Sequence, residues 1–86
     1  MNPHDFLSEA AGLIGERGQD YGGIEKNFDR AAEIAGTILG RELSCYDVAI
    51  ILASVKLARM RSSPYKRDNY LDCANYLAFA AEFATR

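Results

Sequence analysis

Apolar residues recur every three to four positions along nearly the whole chain, and no stretch alternates convincingly with period two. That spacing predicts helices and no strands. The first helix is expected from about Pro3 to Arg17, with Phe6, Leu7, Ala10, Leu13 and Ile14 on one face. Pro3 suits a first turn, and Gly18 suits the position just past the end. A second helix is expected from about Ile24 to Leu39, with Phe28, Ala31, Ala35, Ile38 and Leu39 facing inward and Gly40 as its stop. Ser44, with Asp47 three residues on, forms a variant capping box that opens a third helix running to about Arg61. Ser62-Ser63-Pro64 ends it, and a fourth helix follows from about Lys66 or Asp68 to Ala84. The expected fold is all-α: a four-helix antiparallel bundle built from two helical hairpins, oligomeric, as a single domain over residues 1–86.

The oligomer follows from the last two helices. From Val48 to Ala58 the only charge is Lys56, and from Tyr70 to Ala81 it is Asp72. Helices that are apolar all round need to be buried all round. One bundle of 86 residues can hardly surround two of them. A homo-oligomer, a two-fold dimer or higher, is therefore expected, with Ala74, Ala78, Ala80 and Ala81 permitting close helix approach. The competing reading is a monomer with one sticky face.

Composition narrows the function classes. Net charge is −2 and the pI about 5.3, which gives no reason to expect nucleic acid as a partner. No apolar run reaches the length of a membrane span, and the segment Met1–Asp5 lacks a basic leader, so a cytoplasmic location is expected. Cys45 and Cys73 read as small buried thiols and lack zinc-ligand spacing. His4 is the only histidine, which argues against a Ser/His/Asp arrangement or a histidine-rich metal site.

Two clusters carry the candidate chemistry. Folding the last two helices about Pro64 sets Lys56, eight residues before it, opposite Asp72, eight after, and Arg59 opposite Asp68 in the same way. Lys56 and Arg59 share one helix face, as do Asp68 and Asp72. Such a ladder can simply fix hairpin register. It can also serve a ligand, the cations meeting phosphate oxygens and the carboxylates holding Mg²⁺ or orienting a water. Burying an ion pair often stabilises no better than apolar packing, so a pair kept in an apolar stretch invites a functional explanation. The second cluster is Glu16-Arg17-Gly18-Gln19-Asp20-Tyr21-Gly22-Gly23, with three charges, a tyrosine and three glycines in eight residues. Glu16 stands in a last turn, where the helix dipole disfavours an acid. Arg17 can compensate it, Asp20 can cap the next helix or ligate a metal, and Tyr21 can pack beneath the segment or stack on a base.

The order ERGxDYG, Asn27-Phe28, Asp47-Val48-Ala49, Lys56-Leu57-Ala58-Arg59 and Asp68-x-x-x-Asp72-x-x-x-Tyr76 resembles an uncharacterised domain family common in phages and prophages. More distantly, the chain is similar to the MazG-like all-α nucleotide pyrophosphohydrolases. Those oligomeric enzymes hold Mg²⁺ with paired acidic motifs and hydrolyse nucleoside triphosphates to monophosphates. The second likeness implies a small helical protein binding a nucleotide or related phosphate ligand, with Mg²⁺ held by Glu16, Asp20, Asp68 and Asp72. Arg17, Lys56 and Arg59 would then meet phosphates, and Tyr21 or Tyr76 the base. The departures are that no E-x-x-E occurs on the second helix, and that Asp68 and Asp72 are four apart where that family has three. The rival expectation is a non-enzymatic oligomeric interaction protein, or a sponge that sequesters nucleotides.

Overall fold

The computed structural model describes the backbone at residues 2–20 and 23–85, and the side chains at 2–15 and 23–85. Four helices make up the fold: α1 (Pro3–Asp20), α2 (Ile24–Leu39), α3 (Cys45–Ser62) and α4 (Arg67–Ala84). No strand occurs among the described residues. Where the sequence carries a stop signal that is also a steric requirement, the helix obeys it. Gly40 ends α2 at φ 70°, a left-handed conformation that glycine adopts without strain, and its N–H bonds back to the Gly36 carbonyl. The chain then folds so tightly over Gly36 that a Cβ there would lie 2.8 Å from the Arg41 carbonyl oxygen. Ser44 and Asp47 form the reciprocal capping box: the serine hydroxyl accepts from the Asp47 N–H at 3.1 Å, and the Asp47 carboxylate accepts from the Ser44 N–H at 2.9 Å. The Ser44 N–H, and after it the Ser44 hydroxyl, stabilise the carboxylate and hold the Asp47 carboxyl below its usual range. Gly18 sets no such limit. α1 runs through it to Asp20, three residues beyond the expected end, because a glycine inside a helix costs only about 1 kcal/mol and forces no turn.

α3 and α4 form the central pair, running in opposite directions. Lys56 meets Asp72, and the Cys73 thiol points at the Ala53 carbonyl oxygen at 3.8 Å. Ala49, Ala53, Leu71, Cys73 and Ala80 are buried along this pair, where small residues let the backbones approach. No disulfide joins Cys45 and Cys73, and burial pushes the Cys73 thiol up. The outer helices dock on different members of the pair, α1 on α4 and α2 on α3. α2 also reaches α4 through an aromatic cluster, with Phe28 placing its ring centroid 5.5 Å from Phe79 and 5.2 Å from Phe83. Contacts between α1 and α4 advance in the same sense along both helices: Pro3 lies near Arg67 and Tyr70, Ala10 meets Asn75, and Ile14 lies near Phe79. α1 and α4 thus run in the same sense, a relation that periodicity does not give, because it assigns a helix its inner face and not the sense in which it docks.

Three positions expected to face inward do not. Leu7, Ile38 and Leu39 are exposed, Ile38 at 76%. On α2 the inward line is Phe28 and Ala32, which the larger Ile34 and Ile38 do not share. The inner helices also keep exposed apolar side chains in the single chain: Tyr46, Ile51, Val55 and Leu57 on α3, and Tyr70 and Leu77 on α4.

Candidate functional site

From Asn69 to Ala81, α4 is apolar except for a polar line at a spacing of three, Asn69, Asp72 and Asn75. All three are buried, at 6%, 8% and 6% exposure. Asp72 and Asn75 resolve their burial differently. Asp72 faces α3 and takes the Lys56 ammonium at 2.9 Å. The expected pairing of these two residues is therefore present. Asn75 faces α1 and donates its Nδ2 to the Ala10 carbonyl oxygen at 2.9 Å. Its Oδ1 accepts no bond from the described residues. No fully enclosed side-chain nitrogen or oxygen among the described residues lacks a partner, so that oxygen opens into the adjoining cleft.

The cleft, of about 350 Å³, lies where α1, α2 and α4 converge. Asp72, Asn75, Tyr76 and Phe79 line it from α4, Ile24, Asn27 and Phe28 from α2, and Ile14 from α1. Its size falls at the lower end of small-molecule sites, and a mostly apolar wall with a few convergent polar groups is the usual composition of one. Ile14 and Ile24 also flank the Glu16–Gly23 segment in sequence, two residues before it and directly after it.

The expected site residues divide into three groups. Asp72 and Tyr76 line the cleft, with Lys56 bound to Asp72 behind its wall. Arg59 and Asp68 form no ion pair with each other among the described residues, so this expected rung of the ladder is missing. Asp68 is exposed in the first turn of α4, and Arg59 lines a separate hollow at the α3–α4 turn. The side chains of Glu16, Arg17 and Asp20, and all of Tyr21, lie outside the described residues. Among those described, no three His, Cys, Asp or Glu side chains come together, and Asp72 is already engaged by Lys56. The described residues alone therefore do not fit Mg²⁺.

Sequence reasoning passed over Asn27, Phe28, Asn75 and Phe79 as site residues. The signal that would have found Asn75 was present: a polar residue three positions from Asp72 in an apolar run. Asn27 and the aromatic walls carried none, because an inward phenylalanine reads as core whether or not a hollow adjoins it.

The whole helical span matches a known family. The model of the family described as "Domain of unknown function (DUF6378)" matches residues 5–84. The chain is 39% identical over 72 residues to the Gene 55 protein of Mycobacterium phage D29, covering 83% of this chain and 48% of that protein. To the Gene 55 protein of Mycobacterium phage L5 it is 36% identical over 73 residues, covering 83% of this chain and 47% of that one. The chain thus spans about half the length of the curated relatives it matches. No solved structure matches. Among the described residues, no helix is long and apolar enough to cross a membrane.

Proposed function

The chain belongs to the DUF6378 family, and from that premise we propose that it binds a nucleotide or related phosphate ligand, with the base in the cleft between α1, α2 and α4. The observation that carries this reading is the lining itself. Tyr76, Phe28 and Phe79 supply aromatic faces, while Asn27 and the open Oδ1 of Asn75 supply hydrogen-bonding edges. A heteroaromatic base needs both, a ring to stack on and fixed polar groups for its rim. Asn75 is held by Ala10, so its acceptor stays in place without a ligand. Arg17 would take the phosphates from the adjoining segment, with Tyr21 as a second aromatic. The finer MazG-like pyrophosphohydrolase reading further requires Glu16 and Asp20 to bring their carboxylates to Asp72 around Mg²⁺.

A thermal-stability panel of nucleoside mono- and triphosphates, with and without Mg²⁺, tests the proposal. A true ligand at about 100 times its Kd adds about 2.7 kcal/mol. Tyr76→Ala should weaken that ligand at least tenfold while leaving the helix content unchanged. The reading fails if no nucleotide raises the melting temperature, or if Tyr76→Ala binds as tightly as the parent. Release of pyrophosphate only when Mg²⁺ is present would support the hydrolase form over a pure binder or sequestering sponge.

The exposed apolar surface favours a second reading, an oligomeric interaction protein. Tyr70, Ala74, Leu77, Ala78 and Ala81 follow one another along one side of α4 with no charge among them. A second copy of the chain, packed on this stripe about a two-fold axis, is the proposed cover. Sedimentation equilibrium tests it, with Leu77→Glu expected to shift the mass to that of one chain. A parent protein already at that mass throughout the micromolar range rules it out.

A further inference from the structure

At the opposite end of the polar line, the Asn69 N–H donates to the Lys66 carbonyl oxygen at 3.3 Å, but its side chain has no partner among the described residues. It is 94% buried by its 6% exposure, yet its carboxamide makes no hydrogen bond among the described residues. It lines a hollow of about 250 Å³ at the α3–α4 turn, together with Arg59, Ser62, Ser63 and Lys66. No fully enclosed side-chain nitrogen or oxygen among the described residues lacks a partner, so the Asn69 carboxamide opens into this hollow, where a ligand can meet it. Everything else around the hollow is suited to an anion. Arg59 and Lys66 bring two cations, and the serines bring two hydroxyls. The hollow opens beside the first turn of α4, whose N-cap residue Lys66 makes no side-chain capping bond. The early amide N–H groups of a helix left uncapped in this way carry partial positive charge and point outward.

We infer that the α3–α4 turn is a second, separate binding site, for the phosphate group of a small phosphomonoester, with Arg59 and Lys66 as charge partners and Asn69 donating its carboxamide N–H. The first-turn N–H groups of Arg67 and Asp68 complete the cradle, and Ser62 and Ser63 offer hydroxyl donors. Arg59 alone would be explained by the C-terminal dipole of α3, and Lys66 alone as a solvated charge. Neither explanation accounts for Asn69. The Asp68 carboxylate, exposed in the same turn, opposes an anion and keeps the site weak and selective for a dianion held by several donors at once. The net charge of −2 disfavours extended nucleic acid as the source of the phosphate. This site does not depend on the cleft, because the two hollows share no lining residue.

The test is an amide-resolved NMR titration of the full chain with inorganic phosphate, against sodium chloride at matched ionic strength. Saturable shifts of the Arg67, Asp68 and Asn69 backbone amides and of the Asn69 side-chain NH₂ are expected. The double variant Arg59→Gln with Lys66→Gln changes two exposed side chains and keeps the fold, and it should bind at least tenfold more weakly. Asp68→Asn should bind several-fold more tightly, a gain that simple loss of structure cannot produce. Tyr76→Ala, on the cleft, should leave phosphate binding unchanged, which separates failure here from failure of the nucleotide proposal. No saturable shift at these amides, or equal affinity in the double variant, overturns the inference. Shifts at the same amides with a single-stranded oligonucleotide but not with phosphate would overturn it in favour of a nucleic-acid surface.

Discussion

Asp72 and Asn75 stand three residues apart on α4, equally buried, and fasten it to different neighbours by different means. Asp72 meets a side chain, the Lys56 ammonium on α3. Asn75 meets a backbone carbonyl, that of Ala10 on α1. The first bond has two partners whose identities both matter, and it pins the register of the central pair. The second asks nothing of the residue at position 10 except that it be small enough to come close. Side chain to side chain specifies a match, whereas side chain to backbone specifies only a place.

The sharpest way to break that comparison is to remove one member of the ion pair. Asp72→Ala takes the carboxylate from a mostly buried Lys56 ammonium and should cost about 3–5 kcal/mol in urea denaturation. Replacing both, as Lys56→Met with Asp72→Leu, should return stability close to the parent, because well-packed apolar residues match a buried pair. If the double change is as damaging as the single one, register is not what the pair provides. Phe28→Ala attacks the anchoring of α2 and should cost about 3 kcal/mol, with faster hydrogen exchange in α2 before α3 is affected. Asn75→Ala should cost about 1–3 kcal/mol, and the new exchange should be confined to α1. Exchange spreading evenly into α3 would mean that α1 and the central pair open as one unit. Ser44→Ala, at the start of α3, should cost about 1 kcal/mol by calorimetry. The smallest effect is one of pH. Because the folded Asp47 carboxyl lies below its usual range, its contribution is complete above that range and is lost as pH falls through the lowered folded value. Circular dichroism below about pH 4 should therefore show the parent losing stability more steeply than Asp47→Asn.

The same contrast explains what was legible in the sequence. The helices were readable within a few residues because caps and apolar spacing are local signals, and Ser44 with Asp47 and the Gly40 stop behaved as their chemistry requires. Lys56 and Asp72 were readable across the turn because each is a lone charge in an apolar run, so each advertises the other. The docking of α1 was not, because the Asn75 to Ala10 bond leaves no mark at its accepting end. Arg59 and Asp68 misled for the opposite reason. Matching spacing alone does not pair two exposed, solvated side chains, since water competes effectively for both charges. The cleft escaped notice because its walls are ordinary core aromatics. Only a three-dimensional arrangement distinguishes a filled core from one with a hollow beside it.

The shared direction of α1 and α4 carries a practical consequence for anyone attaching a label to this molecule. Asn2 and Pro3 sit beside Tyr65 and Arg67, so a fluorophore or affinity handle fused ahead of residue 2 would emerge next to the α3–α4 turn. One fused after Thr85 would emerge about 27 Å away, the length of an eighteen-residue helix. Histidine-rich handles placed at the front would crowd Lys66 with their own titrating imidazoles and could mask any anion response there. Handles belong at the far end.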